Sequence, residues 1–175
     1  MPSAQAEVDE QDKHVDPDAG VAIMLSKRMR KLIDKAGHVG TRIAWVRIRG
    51  PMCPLFFIAV YIPHKYRNSP TATHTLVQLD ALIKTVPKND CLIICGDFNC
   101  QLKRNVSGLT GRWSMTSKHE EQGHDQELLD LMREYELFAA DVKFKPKAKK
   151  WKITKENASV TLHVYRNTKN ADRLN

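Results

Sequence analysis

Two apolar runs separated by one amphipathic stretch constrain this chain most. The first is "PLFFIAVYIP", 54–63, aromatic and β-branched and bounded by prolines. The second is "CLIIC", 91–95, stopped by Gly96. Each is short, apolar and rich in strand-forming residues, so each predicts a fully buried strand. Between them the period changes. Ser69 can cap a helix and Pro70 suits its first turn. Leu76, Leu79, Ile83 and Val86 then recur at helical spacing, and Pro87 ends the helix. Hairpin-like strands followed by strand, helix, strand and helix predict an α/β sandwich with a mixed sheet, not a regularly alternating parallel fold.

The other elements are read more coarsely. "GVAIML", 20–25, predicts a short buried strand, and "SKRMRKLIDKAG", 26–37, is open between a short helix and an irregular connection. "TRIAWVRIR", 41–49, predicts a half-buried strand, with Ile43, Trp45, Val46 and Ile48 inward and Arg42, Arg47 and Arg49 outward. Gly50-Pro51 is a turn. Residues 100–122 read as a long loop, 125–137 as a helix with Leu128, Leu129 and Met132 on one face, and 137–144 as a last strand. The organisation expected is an acidic disordered segment at 1–19, one domain over 20–150, and a weakly structured basic tail at 151–175. Residues 1–19 carry six acids and few large apolar side chains. No repeat is visible.

With 175 residues, 42% hydrophobic and 27% charged, the chain suits one globular domain. A formal net charge of +8 favours a polyanionic partner, nucleic acid first, although a solvated basic surface gives the same number. Seven lysines fall within 143–155, beside Phe144 and Trp151, a composition shared by nucleic-acid-binding segments and by solvated tails. The cysteines Cys53, Cys91, Cys95 and Cys100 form no CxxC pair. A disulfide framework or zinc site is not expected, which favours a reducing, intracellular setting in nucleus or cytoplasm. No run approaches the roughly 18 apolar residues of a membrane helix, so no membrane partner is expected. Protein partners are not legible.

Chemistry concentrates at the tip of the second strand. After Gly96 come Asp97, Phe98 and Asn99. In an extended chain Asp97 and Asn99 point to one side and Phe98 anchors on the other. A carboxylate can take a proton from water, and an amide can donate to an oxyanion, so the pair suits hydrolysis of an anionic ester. Asp and Asn are also common turn residues, and on these residues alone a turn is the better reading. At the exit of the first strand Tyr61 can offer its hydroxyl to a phosphate. His64, Lys65 and Arg67 follow in phosphate-binding company.

"GVAIML", "VYIP", a helix and "LIICGDFN", in that order, resemble the endonuclease/exonuclease/phosphatase superfamily, in its craniofacial development protein 2-like and retrotransposon endonuclease branch. "TGRWSM", 110–115, and "LLDLMREYELFAAD", 128–141, resemble that branch too. The resemblance covers about residues 20–150. It implies a four-layer α/β sandwich of the DNase I type, here incomplete at both ends. It also implies hydrolysis of nucleic-acid phosphodiesters with Mg²⁺. Asp97 would activate water, Asn99 would stabilise transition-state charge and Tyr61 would bind a phosphate oxygen. His64, Lys65, Arg67 and Trp113 would contact substrate. The family's metal-binding glutamate and its closing aspartate–histidine pair have no counterpart here, since Glu7, Glu10 and His163 lack the right surroundings. The expectation is therefore no strong metal site and turnover at or near background. The competing expectations are a non-catalytic nucleic-acid- or protein-binding remnant, or a product that does not fold stably.

Overall fold

A computed structural model describes residues 20–63, 70–100, 102–112, 124–140 and the strand at 164–166. The elements run α1 (Lys27–Arg30), β1 (Ile33–Val39), β2 (Ile43–Ile48), β3 (Leu55–Tyr61), α2 (Pro70–Thr85), β4 (Cys91–Asp97), α3 (Asp125–Glu134), β5 (Leu137–Ala139) and β6 (Val164–Arg166). The strands form one mixed sheet in the order β1-β2-β3-β4-β6-β5. β3 and β4 pair in parallel and the other neighbours are antiparallel. A parallel pair needs a crossover, and α2 supplies it.

Register assigns the two faces of the sheet. Ile43, Trp45 and Arg47 of β2 lie level with Val60, Ile58 and Phe56 of β3, which lie level with Gly96, Ile94 and Leu92 of β4. Side chains alternate along a strand, so these share one face. On it, Ile43, Phe56, Ile58, Val60, Leu92 and Ile94 join the buried cluster with Leu76, Leu79, Ile83, Leu128 and Met132 of the helices. Both helices thus cover this face. The opposite face carries Leu55, Phe57, Ala59 and Tyr61 of β3 and Cys91, Ile93, Cys95 and Asp97 of β4, all half-buried. Val46 and Ile48 are buried on that side, outside the main cluster. The α/β expectation is met: the described residues form one mixed sheet with helices on one of its faces.

Several local expectations are corrected. Residues 20–25 are not a buried strand: none of them is in a strand or buried, and Met24 is 98% exposed. An apolar run becomes a strand only where a neighbour takes its backbone groups, and β1 takes the place beside β2 instead. The open stretch 26–37 resolves into α1, whose start is capped by Ser26 Oγ accepting from the Met29 N–H, and most of β1. β3 is not buried on both faces but alternates, with Phe56, Ile58 and Val60 on its buried side. Arg47 does not simply face solvent. It spans from β2 to the start of β4, donating to both oxygens of Asp90 at 2.6 and 3.0 Å, and it also donates to Asp34. Asp90 is 1% exposed, so this bidentate pairing is what makes its burial tolerable. Asp34 can reach Arg47 because β1 bulges between Ile33 and Lys35. The helix expected at 125–137 stops at Glu134, and of 137–144 only 137–139 are described as strand. The weak signal of the last twenty residues gave no hint of β6. Ser69, the 1–19 segment and the lysine run lie outside the described residues.

The two helices are tied to each other. Tyr135 O–H donates to Asp80 Oδ1, and Lys84 Nζ donates to Asp80 Oδ2 at 2.7 Å. Burial pushes the Asp80 carboxyl up, but hydrogen bonds from Lys84 and Tyr135 outweigh it and hold the group below its ordinary value. Burial first, and donation to Asp80 second, push the Tyr135 phenol well up. The raised tyrosine contributes stability that is full below the ordinary phenol range and lost as pH rises through its raised value. The lowered aspartate contributes stability that is present above the ordinary carboxylate range and lost as pH falls through its lowered value. Tyr135→Phe should therefore lower the unfolding free energy by about 1.5 kcal/mol between about pH 5 and about pH 9, with the gap shrinking on both sides, as read by urea unfolding across pH.

Gly96 yields a sharper expectation. A Cβ there would stand 1.8 Å from the Val60 carbonyl oxygen and 2.8 Å from its carbon. Backbone cannot yield as a flexible side chain does, so Gly96→Ala must part β3 from β4 at that level. It should cost about 3 kcal/mol or more in urea unfolding. Gly20→Ala, with nothing within 4 Å of its added carbon, should change little.

Candidate active site at the β3 and β4 exits

Tyr61 is the register partner of Asp97, the last residue of β3 beside the last of β4. Neighbouring strands lie about 4.8 Å apart, and level residues of a parallel pair point to one face. The hydroxyl and the carboxylate therefore emerge together on the face away from the helices, both half-buried. Ligand sites gather beyond the carboxyl ends of strands in open α/β sheets, and this is such an end. Gly96 is needed here for the close approach of the Val60 backbone, one residue before the carboxylate.

The chain does not stay extended past Asp97. Phe98 is buried at 1% exposure and anchors the tip in the helix-side core, as its position in the sequence suggests. Asn99 then takes a left-handed backbone with φ 45°. Asparagine tolerates that region better than most residues. Its N–H donates to Asp97 Oδ1 at 3.0 Å, closing a turn of the Asx type. Its side-chain Nδ2 donates to the Ile62 carbonyl at 2.8 Å, and the Ile62 N–H donates to the Asp97 carbonyl at 2.8 Å. Asn99 and Asp97 are thus not two side chains on one face of an extended strand. The turn brings them together by folding Asn99 back onto the β3 exit. The amide retains a second N–H and its carbonyl oxygen.

Behind this turn stands a residue that the sequence reading passed over. His124, 1% exposed, places Nε2 2.7 Å from the Phe98 carbonyl oxygen. Its sole sequence signal is its place just before α3, which does not distinguish it from any other residue at a helix start. Of the other candidates, His64, Lys65, Arg67 and Trp113 lie outside the described residues. The described part of the 100–122 loop folds back on itself. Thr110 Oγ1 donates to the Lys103 carbonyl at 2.7 Å and accepts from the Val106 N–H at 2.9 Å, while Leu102 and Leu109 are buried.

Among the described residues no three His, Cys, Asp or Glu side chains come together to hold a metal ion. Mg²⁺ requires near-octahedral oxygen ligation, which Asp97 does not complete alone. The described residues thus do not make a magnesium site by themselves. Among them, too, no helix is long and apolar enough to cross a membrane.

No protein-family model matches the chain. Craniofacial development protein 2 of Bos taurus is 31% identical over 102 residues, which are 58% of this chain and 17% of that protein. Its counterpart in Tragulus javanicus is 27% identical over 126 residues, 71% of this chain and 21% of that protein. The chain thus spans about a fifth of the length of the curated relatives it matches. Among solved structures it is similar to the endonuclease domain of TRAS1, a telomere-specific non-LTR retrotransposon. That match has 18% identity and a TM-score of 0.48, and covers 87% of this chain and 56% of that one. Read together with "VYIP" and "LIICGDFN", the matches to craniofacial development protein 2 support a partial likeness to the endonuclease/exonuclease/phosphatase-like superfamily.

Proposed function

We propose that this chain is a nuclease-type phosphodiesterase domain acting on nucleic acid, with slow turnover that depends on Asp97. The observation that carries the reading is the pairing of Tyr61 with Asp97 at two parallel strand ends on a half-buried face. A water held at the tip would give a proton to Asp97, whose Oδ1 is already oriented by the Asn99 N–H, as the water oxygen bonds to phosphorus and the P–O bond to a sugar oxygen breaks, that sugar oxygen taking a proton from solvent. The Tyr61 hydroxyl would donate to a non-bridging phosphate oxygen, and the second Asn99 N–H would offer another donor to the same group. Net charge +8 supports a polyanionic substrate. Mg²⁺ is the cofactor that the resemblance implies, and the described residues do not hold it by themselves.

A second reading rests on that same absence of a clustered ligand set among the described residues. In it the domain binds nucleic acid and does not turn it over. A supercoiled-plasmid time course with Mg²⁺ and protein in excess separates the two. The nuclease reading expects slow nicking that Asp97→Ala lowers by about 10² to 10⁴. Equal, background nicking by both proteins rejects it and leaves the binding reading.

Binding itself should be weak, indifferent to sequence and steep in salt under either reading. Counterion release sets the slope, with log affinity falling by about 0.9 for each duplex phosphate neutralised per unit of log salt. Asp97→Ala should leave this slope unchanged, because a carboxylate neutralises no phosphate. Fluorescence anisotropy with labelled duplexes of two unrelated sequences, from low to moderate salt, measures it. A flat salt response would reject nucleic acid as the polyanion.

A further inference from the structure

His124 sits at the start of α3 but does nothing for the helix with its side chain. The imidazole makes no capping hydrogen bond, and the helix is served by the His124 backbone carbonyl, which accepts from the Leu128 N–H. The ring is turned inward instead, to the carbonyl of Phe98, 26 residues earlier in the chain. A carbonyl oxygen only accepts, so Nε2 carries the hydrogen. In the neutral ring Nδ1 is then left with a bare lone pair, and that atom is buried without a partner among the described residues. Leaving a buried nitrogen unsatisfied is unfavourable. The contact to Phe98 is therefore held against a cost that a simple apolar residue at this position would avoid.

The target explains what that contact does. The Phe98 carbonyl and the Asn99 N–H belong to one planar peptide unit. His124 holds the oxygen side of this plane at 2.7 Å, and Asp97 Oδ1 accepts from its N–H side at 3.0 Å. Rotation of the plane would break both bonds at once. A donor on the carbonyl also polarises the amide, which strengthens the hydrogen bond the amide gives. The other restraints act on different atoms: Phe98 fixes the side chain in the core, and Asn99 Nδ2 holds the β3 exit at Ile62. Through the peptide plane, α3 thus reaches the carboxylate at the tip of β4.

We propose that His124 is a positioning residue for Asp97, acting through the Phe98–Asn99 peptide plane. The functional consequence rests on the reading of Asp97 as the proton acceptor; the geometric one does not. The test uses the whole chain and three measurements. The first is the ¹⁵N imidazole spectrum of the wild-type protein, expected to show His124 protonated on Nε2. A ring protonated on Nδ1 alone overturns the proposal without any variant. The second is amide exchange in His124→Ala and His124→Gln. His124→Ala should speed exchange of the Asn99 amide by about tenfold while Ile58 and Val60 keep their protection. His124→Gln, whose side-chain N–H can reach the Phe98 oxygen, should recover most of the loss. Unchanged exchange at Asn99, equal loosening of Ile58 and Val60, or no recovery in His124→Gln each overturns it. The third is nicking, where kcat should fall in His124→Ala with KM little changed. If Asn99 responds as expected but wild type and Asp97→Ala nick alike, positioning stands and the nuclease reading fails.

Discussion

The parallel pairing of β3 with β4 fixes everything else in this structure. It runs in register from Leu55 beside Cys91 to Tyr61 beside Asp97, so both strands end at the same level. The pairing is close enough at Val60 and Gly96 to exclude a Cβ. Being parallel, it requires the long crossover that α2 makes, and α2 brings Leu76, Leu79 and Ile83 onto the sheet. Covering one face with helices leaves the other for the hydroxyl of Tyr61 and the carboxylate of Asp97. The site follows from the pairing, because a shift of one residue would turn Asp97 toward the helices.

What was legible in the sequence follows the same logic. Residues 54–63 and 91–96 were readable as strands from their short apolar, β-branched and aromatic composition, though not in the alternation of their burial, and 70–87 was readable as a helix from apolar residues at helical spacing. β1 was not, for two physical reasons. Its bulge at Asp34 breaks the alternation, and Gly37 stands where the Trp45 ring passes within 2.9 Å of where a Cβ would be. An edge strand that serves as a platform for a neighbouring indole needs no apolar stripe of its own. The opposite error occurred at 20–25, where the apolar residues carry a strand's composition but no described strand pairs with them. Composition reports what can be buried, and only pairing decides whether it is.

The candidate site divides in a similar way. Tyr61, Asp97 and Phe98 were placed correctly because position at a strand's end is a local property. Asn99 was recognised as a residue but not in its conformation, since no alternation rule foresees a left-handed backbone. His124 left no local trace, because its partner is 26 residues away and its neighbours in sequence do not explain its burial. Contacts of that kind are set by how α3 meets the turn, which is decided only when the core assembles. Arg47 was misread for a related reason. It lies on the face shared with Ile43 and Trp45, where a buried carboxylate, Asp90, two strands away holds its guanidinium.

The turn and the candidate site, weighed as alternatives in the sequence, share one geometry in the structure. The Asx-type closure from the Asn99 N–H to Asp97 Oδ1 is ordinary turn chemistry. It also occupies one carboxylate oxygen and so fixes the direction of the other. The bond from Asn99 Nδ2 to Ile62 satisfies a carbonyl at the β3 exit, and it orients the remaining N–H of the same amide. A side chain already held by its surroundings loses little freedom when it meets a ligand, which is the physical content of preorganisation. Hydrogen bonds that make a turn stable are therefore not evidence against a site. At this tip they are the means by which a short, glycine-led exit from the sheet presents a carboxylate and an amide in fixed relation. Among the described residues that frame runs from Tyr61 to Ile62 and from Gly96 to Asn99, with His124 holding the Phe98 carbonyl behind it.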